Sequence, residues 1–201
     1  MNGIIKKTAI MTSLILVATL FLGVFGLFVF APKYTGDLCF EIGMKNSALN
    51  CYEIAYGRTG DYGDLVDLVN CSAYTENYEV MSRYGKIMLE REVEFNDFCK
   101  QGDRDITEGD YTTYGYYTTA IMLAFYKTGD KQSSASIAVE YTLIGYVETS
   151  ALYAAVRLCK NDSEFLGVLV SAYKGGSNKL SGTHLSKFRE DIKAIDPEIK
   201  I

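Results

Sequence analysis

The chain has one histidine, two prolines and no tryptophan, and the first two shortages remove whole classes of fold and function. A lone histidine, His184, cannot build a multi-histidine zinc site. It also has no nucleophile to serve, because Gly-x-Ser-x-Gly is absent. No P-loop and no Gly-x-Gly-x-x-Gly following a strand occurs. The prolines are Pro32 and Pro197, so the long tract between them lacks the residue that most strongly interrupts a helix. Alternation of apolar and polar residues at period two, the signature of a half-buried strand, is missing as well. Clustered positive charge is absent, which argues against nucleic acid as a partner.

What is present begins with a stretch free of charge. Thr8 to Pro32 reads TAIMTSLILVATLFLGVFGLFVFAP and lies between Lys6-Lys7 and Lys33. At about 1.5 Å rise per residue, roughly 20 such residues span a bilayer core of about 30 Å. In lipid the backbone must satisfy its own hydrogen bonds, so a helix is expected. A basic start before an apolar run also fits a secretory signal peptide. The run is longer than a signal core and ends in Leu27-Phe28-Val29-Phe30, with Pro32 directly after the small-residue site at Ala31. Retention as an anchor is therefore expected. The basic residues before the run place the N-terminus in the cytoplasm and the remaining chain outside it. Lys6, Lys7 and Lys33 are three of 20 basic residues, and the 17 others face 25 acidic ones, so the chain beyond Lys33 carries about −8.

Beyond the run, apolar residues recur at spacings of three and four. Helices are predicted over 35–42, 47–57, 62–73, 78–90, 94–100, 107–127, 132–147, 150–160, 162–173 and 183–194. Glycine-containing breaks separate many of them: Gly57 to Gly60, Gly102, Gly129 and Gly175-Gly176. Short breaks between helices imply hairpins. The last segment sets Leu185, Phe188, Ile192 and Ile195 on one stripe and stops at Asp196-Pro197. One apolar stripe on a final helix suits a terminal cap on a helical stack.

Self-similarity gives the stack a name. Gly43 is followed by Ala48, Tyr52 and Ala55 at steps of five, four and three. About 33 residues on, Glu76-Asn77-Tyr78 opens a degenerate copy with Met81, Tyr84, Gly85 and Met88. A third lies at Ala124 to Asp130, with Phe125, Tyr126, Lys127 and Gly129, followed by Ala135, Ala138 and Tyr141. This order resembles the tetratricopeptide repeat, over residues 35–173. The missing tryptophan, the missing Leu-Gly pair and the interruption over 90–107 depart from that family, and the related Sel1-like class stays open. The resemblance implies stacked helical hairpins that bind a protein or peptide on a concave face lined by first helices. A single hairpin cannot bury its apolar face, so stacking is required whatever the name.

Candidate chemistry is sparse. Asp103, Asp105, Glu108 and Asp110 suggest a calcium loop, but the sixth position holds Glu108 instead of glycine and the twelfth holds Tyr114 instead of glutamate. A solvated acidic loop leading into a helix is the plainer reading. The five cysteines, Cys39, Cys51, Cys71, Cys99 and Cys159, form no Cys-x-x-Cys pair. They read as small buried hydrophobes, with Cys39 and Cys51 the first pair to examine for a disulfide. All 16 tyrosines follow Pro32, and Tyr111, Tyr114, Tyr116 and Tyr117 cluster. Two readings stand: rings filling gaps between helices, or a binding groove.

The sequence thus predicts an all-α protein: one N-terminal transmembrane helix followed by stacked antiparallel hairpins in a tetratricopeptide-like α-solenoid. Its parts are a cytoplasmic 1–7, a membrane span 8–32, a repeat domain 33–175, and a linker with capping helix 176–201. The expected function is a membrane-anchored, extracytoplasmic scaffold for a protein or peptide, with Tyr111, Tyr114 and Tyr117 as partner-binding residues. No catalytic residue, metal or cofactor is expected, and no nucleic acid. The alternatives are a small extracytoplasmic enzyme working through carboxylates, or a bracing subunit of a membrane assembly.

Overall fold

The computed structural model describes residues 2–102 and 112–201; within the helices, the side chains of residues 2–6, 9, 24, 27, 28, 101, 102 and 112 lie outside that description. Tyr111 and the acidic segment from Asp103 to Asp110 therefore lie outside the described residues. The described residues form helices and no strand. In chain order they are α1 Asn2–Phe30, α2 Pro32–Glu41, α3 Lys45–Thr59, α4 Tyr62–Tyr74, α5 Tyr78–Glu90, α6 Glu92–Gly102, α7 Thr112–Lys127, α8 Lys131–Glu140, α9 Ala151–Cys159, α10 Ser163–Gly175 and α11 Gly182–Ile195.

Where the sequence reading carries one repeat domain over 33–175, the chain forms two compact units, Met1–Thr75 and Glu76–Ile201. At the boundary Glu76 takes φ 53, the left-handed region that a residue with a Cβ adopts at a cost.

The first unit begins with α1, 29 residues long. It ends where Ala31, at φ −138, leaves helical geometry ahead of Pro32 at the first position of α2. Among the described residues no helix is long and apolar enough to cross a membrane. The described residues therefore give a long N-terminal helix but do not show the membrane span predicted over 8–32.

α2 packs on α3, and α3 on α4. Gly43, at φ 83, makes the α2–α3 turn. Its N–H donates to Phe40 O at 3.1 Å and the Met44 N–H to Cys39 O at 2.7 Å, the paired bonds of a Schellman ending. Ala48, Tyr52 and Ala55, singled out in the sequence, are all buried. Gly36 makes room for the Tyr52 ring: a Cβ there would sit 2.8 Å from Tyr52 Cε1.

The second unit centres on α7, which packs on α5, α6, α8 and α9. α8 lies against α10 as α7 lies against α9, and α11 covers α9. The turn from α7 to α8 repeats the Schellman geometry at Gly129, φ 86. There Gly129 donates to Tyr126 O at 3.1 Å and Asp130 to Phe125 O at 3.0 Å. Asp130 then caps α8, accepting from the Ser133 N–H. Met88, Phe95, Ile121, Met122, Leu152, Phe165, Leu169, Phe188 and Ile192 form the core.

One predicted helix is too long. The expected 132–147 ends at Glu140, and the chain then loops to Ser150, which caps α9. Gly145 needs φ 76, and Tyr146 turns inward to stack on Phe188 at 5.4 Å and donate to Asp191 Oδ2 at 2.9 Å. These tertiary contacts outweigh the helical spacing. In α11 Phe188 and Ile192 are fully buried, on the helix that packs against α9.

Candidate functional site

α5 meets α7 at Gly85, where a Cβ would lie 2.6 Å from Ile121 Cγ1. The adjoining face of α5 carries Lys86, Leu89 and Glu90 at i, i+3 and i+4. The facing side of α8 presents Gln132, Ser133, Ser136, Ile137 and Glu140. Between them lies a groove of about 320 Å³, completed by Phe125 and Tyr141. Its floor is apolar: Leu89, Phe125 and Ile137 are almost fully buried. Its rim is polar and carries an exposed Lys86–Glu90 pair at 3.9 Å.

Tyr141 closes one end of this groove. Its hydroxyl donates to Leu89 O at 3.2 Å, tying the end of α8 to the end of α5. Burial first, then the charges of Glu140, Glu92 and Glu90, push its hydroxyl pKa up to about 12. The hydroxyl is therefore a neutral donor at physiological pH.

Tyr114 and Tyr117 do not line the groove. Tyr114 is 4% exposed and Tyr117 is 6% exposed. Tyr114 packs on Phe95 at 5.2 Å and stands behind Tyr141 at 6.3 Å. Tyr117 sits edge-on to Phe98 at 5.3 Å. Burial raises the Tyr114 hydroxyl well above its ordinary pKa. Of the described cluster, Tyr116 alone is exposed, at 53%. The gap-filling reading describes Tyr114 and Tyr117, and Tyr111 lies outside the described residues. The α8 face is hidden in the sequence because helical spacing runs on past Glu140, where α8 ends. Its signal was the polar line of Gln132, Ser133, Ser136 and Glu140 beside the buried Ala135 and Ala138.

Two ion-pair clusters brace the units. At the foot of α1, Lys33 Nζ lies 3.0 Å from Asp64 and 2.5 Å from Asp67. Burial would lower the Lys33 pKa, but Asp67 and Asp64 outweigh it and raise it. Asp64 is likewise held below the carboxylate range, by Thr59 and Lys33 against its burial. Arg58 donates to Val29 O in the last turn of α1. In the second unit, Lys131 Nζ lies 2.8 Å from Asp162 and 2.6 Å from Glu164, while Tyr126 donates to Asp162 at 3.0 Å. Lys131, then the Phe165 N–H that Asp162 caps, hold the Asp162 carboxyl down at about 2.

His184 Nδ1 accepts from the Tyr146 N–H at 3.2 Å, and its ring lies against Gly145. All five cysteines are buried, and none is in a disulfide. Cys51 is raised by burial and then by its neighbour Cys39, so the pair is adjacent as thiols. The described residues hold no cluster of metal-ligating side chains. Glu90 and Glu140 both border the groove, but both are exposed. A hydrolase of the paired-carboxylate kind instead raises one acid by burial.

Compared with protein families, curated proteins and solved structures, the chain matches none.

Proposed function

We propose that this protein is a membrane-anchored helical scaffold of tetratricopeptide-like stacked hairpins that docks a protein or peptide segment in the α5–α8 groove. The groove itself carries the reading. At about 320 Å³ it is at the lower end of the roughly 300–1,000 Å³ typical of small-ligand sites. That space suits one or two side chains of a longer partner better than a whole cofactor. An apolar floor under a polar rim is the pattern of an anchor-residue pocket. Among its lining residues Lys86 is already paired with Glu90, which leaves Glu140 to favour a partner whose apolar anchor adjoins a lysine or arginine.

The anchor rests on the uncharged stretch from Thr8 to Pro32, most of it within the 29-residue α1. Ile10, Leu14, Leu16, Phe21 and Phe25 stand 61–75% exposed along that helix, as lipid-facing side chains would. Lys6 and Lys7 favour a cytoplasmic N-terminus, which puts both packed regions outside the cytoplasm.

Photocrosslinking in cells that make the full chain tests the groove. A photoreactive residue at Ser136 is expected to capture one dominant protein. The same residue at Lys160, exposed elsewhere in the unit, captures none of it, and the groove-filling Ser133→Tyr abolishes capture. Equal capture from both positions, or none from Ser136 in folded protein, refutes the reading.

A further inference from the structure

α2 has two faces. Pro32, Thr35, Gly36 and Cys39 are buried on the side that packs against α3. The opposite line carries Tyr34 at 76%, Leu38 at 54% and, at the helix end, Ile42 at 61% exposure. These residues are spaced i, i+4 and i+8, so they form one stripe. Phe30, four residues before Tyr34 and 88% exposed, continues it back onto α1. Tyr34, Leu38 and Ile42 thus line up as a row of large exposed side chains on a helix whose opposite face is buried, and a contiguous apolar row of this kind marks a contact surface.

The surroundings say what covers the stripe. Ala31 is the only residue between α1 and α2, so the stripe starts where the apolar surface of α1 ends. Ala31 has non-helical φ and ψ, which breaks the line of the helix at that point. The cations at this level are held inward: Lys33 on Asp64 and Asp67, and Arg58 on the Val29 carbonyl. The stripe is thus apolar with a tyrosine next to the end of α1. Tyrosine is favoured in the zone between hydrocarbon and water.

We infer that α2 lies on the bilayer, with Tyr34, Leu38 and Ile42 seated in the headgroup zone of the membrane that α1 enters. The inference rests on α1 being an anchor, as proposed above. The occupant is a lipid surface and not an anionic one in particular, because Asp37, Glu41, Asp61, Asp64 and Asp67 give this region more acidic than basic residues. Seated this way, α2 fixes the first unit at the membrane surface through two linked elements, one inserted and one lying flat.

The absence of tryptophan makes the test clean, since a single introduced indole is the only one in the chain. Full-length Leu38→Trp, Tyr34→Trp, Leu16→Trp and Tyr116→Trp variants are reconstituted in phosphatidylcholine vesicles. Bromine is carried either near the headgroup end or near the terminus of the acyl chains. Leu38→Trp and Tyr34→Trp are expected to lose most emission to the shallow bromines and less to the deep ones. Leu16→Trp loses more to the deep ones, and Tyr116→Trp loses none to either. If Leu16→Trp is quenched while both α2 variants match Tyr116→Trp, the α2 inference is overturned and the anchor stands. If the α2 variants emit at short wavelength but escape quenching, protein covers the stripe and the inference is equally overturned. If Leu16→Trp escapes both bromines, the anchor itself fails. Using both Tyr34 and Leu38 guards against one variant misfolding.

Discussion

Replacing Gly115 by alanine is expected to destabilise the second unit, although the same change within an exposed helix ordinarily stabilises. Alanine exceeds glycine in helix propensity by about 0.8–1.0 kcal/mol. At Gly115, however, a Cβ would lie 2.4 Å from the Thr149 carbonyl oxygen and 3.3 Å from Ile144 Cδ1. The 2.4 Å contact is with backbone, so no rotamer change relieves it. The loop that carries Thr149 is held from both sides: Thr119 donates to that same oxygen at 3.4 Å, and the Tyr146 N–H donates to His184. Overpacking of this kind costs about 1–3 kcal/mol. The net effect is a loss of up to about 2 kcal/mol, or a midpoint lower by up to about 4–8 °C at 2–4 °C per kcal/mol for a domain near 150 residues. Gly167→Ala is the matched control, because nothing lies within 4 Å of a Cβ there and the residue is within α10. It should raise the midpoint by roughly 2–4 °C. Thermal unfolding of the full chain in detergent, followed by circular dichroism, reads both. Equal stabilisation by the two substitutions would refute the packing of the 141–150 loop onto α7.

Other outcomes follow from the same contacts. Phe188→Ala removes a fully buried ring that packs on Tyr146 at 5.4 Å and Tyr173 at 4.7 Å; a loss of about 3–5 kcal/mol is expected in urea unfolding, and far less for half-exposed Leu185→Ala. Asp162 has its carboxyl pKa depressed to about 2 by Lys131 and the Phe165 N–H. Its contribution to stability is therefore complete above the ordinary carboxylate pKa and is lost as pH falls through about 4 toward 2; unfolding midpoints at pH 7 and pH 3 should differ less in Asp162→Asn than in the parent. Tyr141→Phe removes the bond to Leu89 O and should cost about 0.5–1.5 kcal/mol, together with weaker crosslinking from Ser136.

The elements legible in the sequence were those fixed locally. Gly43 and Gly129 announced their turns because each ends a helix in the left-handed region. The Phe188–Ile192 stripe announced α11 because its spacing matches one helix face. The loop after Glu140 was illegible because its cause is distant: Asp191, Phe188 and His184 lie some 40 residues away and draw Tyr146 out of helical register. The groove was obscured for a similar reason. It is lined by residues of α5, α7 and α8 that lie far apart in the sequence, and tyrosine content alone cannot separate a ring that lines a groove from one that backs it. Tyr114 and Tyr141 stand 6.3 Å apart, and only the second borders the groove.

The anchored, outward-facing scaffold is tested most directly by locating the chain across the membrane. All five native cysteines are buried, so a Lys200→Cys variant offers one exposed thiol at the end of the chain. A membrane-impermeant maleimide is added to intact cells and to lysed cells, and membranes are washed at alkaline pH. The account predicts labelling in intact cells and retention of the full chain in the washed membranes. Labelling only after lysis, or release of the chain by the alkaline wash, would contradict it.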